Sequence, residues 1–445
     1  MRQKDNSIHA DTKRDQILLS MLDTDLYKFS VSYAYMSLFP DAEGTFEFCD
    51  RSHHKWTDEE YAKLKENMSK LKDLTFTQAQ FIWLRENLST YIPLHYWEWL
   101  WSFRYDIDKI EMRLNPAREL AISVTDKMHK VTLYEIPVLV VVAYTLGMNV
   151  NYDLKKSIQK LASKVELANE DNLVFSEFGT RRRISAEMQD AVVDYLVHNS
   201  DTCVGTSNVH FACKYNIKAI GTYPHEWPMF HAAVTGGYIE ANNRAMEDWV
   251  KVYDGYLGTA LIDAFTTPVF LKNFSKKLAC LFDGVRQDSG DEYIIGNMII
   301  ARYKELGIDP KKKFIVFSNG LNFPKFKEIK DYFDGKIGVS AGIGTDLTND
   351  PVLVDEDPEH PYKAPSIVMK LMMCRLNSKQ EWHFCVKISD DQGKEMGNHD
   401  DIVMAKYQIG MIKSVVPNKE GQHEVYPDWW YQYNKWQVDT PPSCG

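Results

Sequence analysis

The segment Gly221-Thr222-Tyr223-Pro224-His225-Glu226-Trp227 sets a histidine between a short strand-like run and a helical one. An imidazole at such a junction is a candidate nucleophile. Six other apolar runs in the same half of the chain also end in chemically capable residues. Leu173-Val174-Phe175 leads to Glu177-Phe178-Gly179-Thr180-Arg181-Arg182-Arg183, and Cys203-Val204 to Gly205-Thr206-Ser207-Asn208. Ala219-Ile220 leads to the histidine segment and Ala260-Leu261-Ile262 to Asp263-Ala264-Phe265-Thr266-Thr267. Cys280-Leu281-Phe282 precedes Gly284-Val285-Arg286-Gln287-Asp288-Ser289-Gly290-Asp291, Phe314–Phe317 precedes Ser318-Asn319-Gly320, and Ile337-Gly338-Val339 precedes Ser340-Ala341-Gly342-Ile343-Gly344-Thr345.

Arginines at a strand-to-helix turn oppose the helix dipole, so one or two of Arg181–Arg183 point instead to a phosphate or pyrophosphate. Gly342, Gly344 and Thr345 form a Gly-x-Gly-Thr loop whose backbone amides can approach a phosphate closely. Arg286 with Asp288 and Asp291 suits a carboxylate, ribose hydroxyls and a hydrated magnesium ion; a structural salt bridge with a helix cap is the plainer alternative. Gly205-Thr206-Ser207-Asn208 suits anion contact but also an ordinary helix cap.

Other chemistries fit less well. His225-Glu226 lacks the second histidine four residues on that a zinc protease helix needs; Met229 stands there. Asp263 to Thr267 resembles the Asp-x-x-Thr-Thr phosphate loop of type I phosphoribosyltransferases, but Pro268 replaces the glycine that should continue it. A glycoside hydrolase built on Glu177 with Asp263 or Glu226 leaves the arginines and the glycine loop unexplained.

These strand ends need a scaffold. Strand–helix alternation from about residue 170, with amphipathic helices such as Glu292–Leu306 and Pro324–Phe333 between runs, predicts a parallel sheet. Seven units in series fit an α/β barrel or a doubly wound sheet, both with their chemistry at the strands' C-terminal ends. Ahead of it, Leu22–Leu38 is helical, Thr45–Cys49 alternates as a strand, and Thr57–Leu88 reads as two helices. Tyr96–Tyr105, with aromatics at every second position, fits strand as well as helix. Ile367–Cys374 and Trp382–Ile388 read as a hairpin around Asn377–Gln380, and 426–445 as an irregular aromatic tail.

The 445 residues carry 52 basic and 62 acidic side chains, a net charge of −10 that argues against nucleic acid as the main partner. The longest apolar run, Ile136–Met148, is too short to span a bilayer and reads as a buried helix. Seven scattered cysteines without a CxxC pair fit reduced thiols in a cytoplasmic protein, and no signal peptide is visible at the N-terminus.

Eight motifs in order resemble the nicotinate phosphoribosyltransferases, type II enzymes related to the nicotinamide and quinolinate ones. They are Asp23-Thr24-Asp25-Leu26-Tyr27-Lys28, Phe178-Gly179-Thr180-Arg181-Arg182, Gly205–Asn208, Gly221–Trp227, Arg286–Asp291, Phe317-Ser318-Asn319, Gly342–Thr345 and Lys387-Ile388-Ser389-Asp390. The resemblance implies an α/β sandwich domain from both chain ends (17–150 and 365–445) and an incomplete seven-stranded α/β barrel (151–364). It implies a homodimer with shared sites, joining nicotinate to phosphoribosyl pyrophosphate with ATP hydrolysed through a phosphohistidine at His225. Magnesium would arrive on the phosphates, with no metal ligand assigned to the protein. Arg181, Ser318, Asn319, Gly342, Gly344 and Thr345 would hold phosphates, and Asp288 the ribose. Phe178 and Tyr27 would sandwich the ring, Tyr27 from the partner subunit; Thr222 would lie beside it. In the nicotinamide enzymes an aspartate stands where Ser207 is. Ser207 would donate to the nicotinate carboxylate and Arg286 would pair with it. A nicotinamide enzyme, or a non-catalytic binding homologue, is the alternative.

Overall fold

The computed structural model describes residues 8–355, 361–391, 394–418 and 421–425. The aromatic tail 426–445 lies outside the described residues. The strands are β1 (Glu43–Asp50), β2 (Ile110–Leu114), β3 (Leu120–Lys127), β4 (Phe175–Glu177), β5 (Cys203–Thr206), β6 (Thr259–Leu261), β7 (Gly284–Gln287), β8 (Phe314–Phe317), β9 (Gly338–Ile343), β10 (Ile367–Arg375) and β11 (His383–Phe384), with a separate antiparallel pair of Ser414–Asn418 and Gly421–Val425.

Two sheets of opposite kind result. One is antiparallel, in the order β11-β10-β1-β3-β2. Its strands alternate as a half-solvated sheet requires: Phe46 and Phe48 are buried in β1 while Glu47 faces out. β1 pairs with β10 from Glu43↔Arg375 to Asp50↔Ile367, so both ends of the chain build this sheet. The other is parallel, in the order β5-β4-β9-β8-β7-β6. Its strands are short and covered by helices; all three residues of β4 are buried.

Three expectations need correction. The third run of the series does not form a strand: Ala219 makes only a single parallel bridge to Thr206. The chain there turns to pack on the helix Leu26–Leu38, so closely that a Cβ on Gly221 would lie 3.0 Å from the Tyr27 nitrogen. The sheet thus has six paired strands with a one-residue seventh; among the described residues no ladder joins Ala219 to β6. The run Cys280-Leu281-Phe282 ends a helix, Lys276–Leu281, started by the Ser275 cap, and the strand begins at Gly284. Gly284 approaches the Phe314 carbonyl of β8 so closely that a Cβ would meet it at 2.4 Å. Trp382–Ile388 contributes only two strand residues.

Tyr96–Tyr105 resolves toward helix, over Leu94–Ser102, starting at Pro93. Trp97 is buried beneath it and Trp101 faces outward. The two helices of 57–88 are Asp58–Ser69 and Gln78–Leu88, each opened by a threonine capping box, Thr57/Glu60 and Thr77/Gln80. Ile136–Met148 is the buried helix Glu135–Gly147. The wider stretch Met128–Gly147 has the length and apolar composition of a membrane span, but 83% of its most apolar part is buried inside the fold. The six described cysteines are free thiols.

Candidate active site

The C-terminal ends of the parallel strands face the antiparallel sheet across a cavity of about 460 Å³. Most of the residues singled out from the sequence line it: Tyr27, Phe178, Arg181, Ser207, Thr222, His225, Arg286, Asp288, Ser318, Asn319, Gly342, Gly344 and Thr345. Arg183 and Asp291 do not: Arg183 is buried in a pair with Asp23, and Asp291 caps the helix Glu292–Glu305.

His225 opens the helix Glu226–Thr235 and its side chain is 21% exposed. Its Nε2 lies 2.9 Å from Asp263 Oδ1 and 3.9 Å from Asp288 Oδ2. Burial disfavours charge on Asp263, but His225 and Lys387 outweigh it and hold the carboxyl well below its usual range. An ionised Asp263 can only accept, so Nε2 carries the proton it donates. Burial lowers the His225 pKa despite that neighbour, leaving a neutral imidazole near pH 7 with its lone pair on Nδ1. Among the described residues Nδ1 has no hydrogen-bond partner. Ser289 donates to Asp263 Oδ2 at 2.6 Å and Lys387 Nζ stands 3.3 Å away. Asp263 follows β6 and had been weighed only in the phosphate-loop and glycoside-hydrolase readings, because its contact with His225 joins two segments apart in sequence.

Asp288 accepts from the Ser318 hydroxyl at 2.8 Å. His225, Asp263 and Asp288 bring one ligand atom each within 4.8 Å of one another; with the proton on Nε2 the two carboxylates are the groups that could face a cation, and of these the sequence had offered Asp288 beside a hydrated magnesium ion. Arg286 lines the cavity, and its buried Nε has no hydrogen-bond partner among the described residues. An unsatisfied guanidinium in a cavity wall is a strong anion attractor.

Phe178 leans on the glycine loop: a Cβ on Gly342 would strike its ring at 2.4 Å, so glycine is required there. Lys164 braces the loop from behind through Asp346 at 2.9 Å and Asp350 at 2.8 Å. Tyr27 lines the cavity in the same chain as Phe178. The Ser207 hydroxyl does not point its proton into the cavity; it donates to Asp25 Oδ1 at 2.7 Å. Burial raises the Asp25 pKa against that hydrogen bond, favouring its neutral form.

The antiparallel sheet adds two cations that the strand-end reading missed, Arg51 just after β1 and Lys370 in β10; Lys387 and Lys394, beyond β11, line the cavity with them and Arg182. Burial, with Arg51 and Lys387 nearby, lowers Lys370 to about 8. Burial, Arg181 and Arg51 lower Arg182 to about 10. Cations held together at a loss mark a place for an anion. Arg51 and Lys370 belong to segments some 300 residues apart in sequence, and no local pattern announces them. Lys387 and Asp390 were visible as a motif. Asp390 accepts from the Thr267 amide at 2.9 Å and hydroxyl at 2.7 Å, pinning the turn that carries Asp263.

Comparison with known proteins follows this geometry. The profile of the "Nicotinate phosphoribosyltransferase (NAPRTase) family" matches residues 173–411, and that of its N-terminal domain residues 22–143. The chain belongs to the nicotinate phosphoribosyltransferase family. It is 36% identical over 412 residues to a nicotinate phosphoribosyltransferase of Methanosarcina acetivorans, covering 88% of this chain and 98% of the relative. It is 35% identical over 406 residues to one of Chromohalobacter salexigens, covering 89% and 100%. Among solved structures, that of the Porphyromonas gingivalis enzyme superposes with a TM-score of 0.84 at 40% identity, covering 88% of this chain and all of that one. That of the Vibrio cholerae enzyme gives 0.82 at 29%, covering 96% and 98%.

Proposed function

We propose that this chain transfers phosphoribosyl from phosphoribosyl pyrophosphate to nicotinate, giving nicotinate mononucleotide and pyrophosphate. The observation that carries this reading is Arg286, its Nε without a partner among the described residues, in the same cavity as Tyr27, Phe178 and the glycine loop. The pyridine nitrogen attacks ribose C1, the C1–oxygen bond breaks, and pyrophosphate leaves with the electron pair. Tyr27 and Phe178 wall the ring, and Arg286 takes its carboxylate. The glycine loop, Thr345, Ser318 and Asn319 receive the 5′-phosphate, Arg181 the pyrophosphate, and Asp288 the ribose hydroxyls. Thr222 borders the ring. Holding nitrogen and C1 in line while neutralising the departing charge supplies the catalysis.

ATP coupling runs through His225. The Nδ1 lone pair attacks the γ-phosphorus, ADP leaves, and Asp263 stabilises the proton kept on Nε2. Water later hydrolyses the phosphohistidine. Magnesium would accompany the phosphates and neutralise their charge, with Asp288 and Asp263 as the nearest carboxylates. With the Ser207 proton engaged by Asp25, carboxylate selection falls to Arg286; burial works against charge on Asp25, which limits its repulsion of the substrate. The working unit is taken to be a homodimer, and the free thiols fit a reducing cytoplasm.

The test is conversion of radiolabelled nicotinate, beside nicotinamide and quinolinate, with and without ATP and magnesium. Product from nicotinate alone, stimulated by ATP, is expected. Product from nicotinamide would overturn the role of Arg286, and no product from any ring would leave a binding protein. His225→Ala should abolish ATP hydrolysis and leave slow, uncoupled transfer; retained hydrolysis would sink the phosphohistidine.

A further inference from the structure

Beneath the ring slot lies a carboxylate with no part in the transfer chemistry. Glu177 closes β4 and is fully buried. Its Oε1 accepts from the Gly179 amide at 2.5 Å and from Gln189 Nε2 at 3.1 Å. Its Oε2 accepts from the Thr206 hydroxyl and again from Gln189, at 3.2 Å. Its backbone carbonyl accepts from the Ser207 amide at 2.9 Å.

Each partner supports a wall of the slot. Gly179 follows Phe178 and leads to Arg181. Thr206 precedes Ser207 and accepts from the Asn208 amide at 3.0 Å. Gln189 accepts from Arg183, and Arg183 grips Asp23 through two hydrogen bonds of 2.7 Å. Asp23 also accepts from Asn208 at 2.8 Å and stands just ahead of Asp25 and Tyr27. The turn has no slack: a Cβ on Gly179 would lie 2.1 Å from Thr348 Oγ1 and 2.8 Å from Glu177 Oε1.

We propose that Glu177 is a positioning residue for the nicotinate slot, joining the segments that carry Phe178, Ser207 and Tyr27 through one buried carboxylate. The proposal rests on the assignment of that slot to nicotinate. Both oxygens are fully engaged as acceptors. A proton on Oε1 would face the fixed Gly179 N–H and break that contact, and a proton on Oε2 would force the Thr206 hydroxyl to turn its own proton away and accept instead. Burial raises the Glu177 pKa to about 6, with the hydrogen bonds opposing and Asp25 adding to the rise. The other groups around it are the neutral Cys203 thiol and, through Gln189, the paired Arg183 and Asp23. The slot therefore loosens as pH falls through about 6.

The experiment is steady-state kinetics of wild type and Glu177→Gln between pH 5.5 and 7.5, with nicotinate varied and ATP hydrolysis followed separately. In wild type the nicotinate KM should rise as pH falls. In Glu177→Gln it should be raised about tenfold and be flat with pH, while ATP hydrolysis without nicotinate stays within about threefold of wild type, because His225 lies outside the network. An unchanged KM, or a pH limb that survives the substitution, overturns the proposal. If Glu177→Gln does not fold, Thr206→Val serves: losing one donor to the carboxylate should move the wild-type limb to higher pH, and an unmoved limb overturns the proposal equally. Wild type that fails to turn over nicotinate would sink the functional reading, whereas an active wild type with an indifferent Glu177→Gln would sink only this inference.

Discussion

The two ends of the cavity treat buried charge in opposite ways. Beside Tyr27 and Glu226, Lys28 is completely buried, yet it contacts Glu135, Glu226 and the Thr132 hydroxyl. Burial works against its charge, but Glu135 and Glu226 win and raise its pKa. Thr132 donates to the other oxygen of Glu226 at 2.6 Å. On the opposite wall Arg51, Arg182 and Lys370 crowd together and their own charges oppose one another. The first group is satisfied without ligand and serves shape. The second is satisfied only when an anion arrives. Buried ions packed against partners hold a wall in place, whereas ions packed against like charges announce what the wall is for.

Removing a charge from each end should sharpen that contrast. The largest effect is expected from Lys28→Met, which leaves two buried carboxylates unpaired and should cost about 3–5 kcal/mol in denaturant unfolding. Adding Glu135→Gln and Glu226→Gln should recover much of that loss; if the single variant is as stable as wild type, the two ends do not differ as described. Next comes Lys370→Ala. Its stability should be unchanged or slightly raised near neutral pH, while the KM for phosphoribosyl pyrophosphate rises about tenfold, equal to about 1.4 kcal/mol. Unfolding and substrate kinetics on one preparation separate these two outcomes.

The pH dependence should follow the same cation. Because the Lys370 pKa is lowered to about 8, the side chain loses its proton above that value in the ligand-free cavity. Phosphoribosyl pyrophosphate affinity should fall as pH rises through about 8, with proton uptake on binding, and Lys370→Ala should lack both. Folding stability moves the other way: between pH 8 and the ordinary lysine range the unfolded chain holds a proton that the folded one has lost, so stability rises with pH. The smallest effect should come from Lys394→Ala. That side chain is 48% exposed and paired with Asp391, so its loss should change substrate KM by less than about threefold. A larger change would make the rim, rather than the buried cations, the principal phosphate contact.

Much of this site was legible because the chemistry of a parallel α/β sheet collects at one end of successive strands. His225, Arg286, Asp288 and the loop from Gly342 to Thr345 each follow an apolar run within a few residues, so local pattern suffices to find them. The same rule misplaced details that depend on packing. Cys280-Leu281-Phe282 is as apolar as a strand, but the Ser275 cap starts a helix that ends within it, at Leu281. The alternating aromatics after Pro93 fit either period, and the helix is decided by what Trp97 packs beneath. Ser207 was correctly placed in the cavity, yet its proton belongs to Asp25, a residue 182 positions away.

The sequence alone determined the α/β class, the strand-end chemistry and the family resemblance, since each rests on short-range spacing and on residue types that local backbone geometry demands. Tertiary structure decided how charges are shared. The pairing of β1 with β10 brings Arg51 and Lys370 to the cavity, the meeting of β6 with the histidine segment gives His225 its Asp263, and one buried carboxylate at Glu177 gathers three segments. Hydrogen bonds and like-charge crowding act over a few ångströms in space, and distance along the chain carries no record of them.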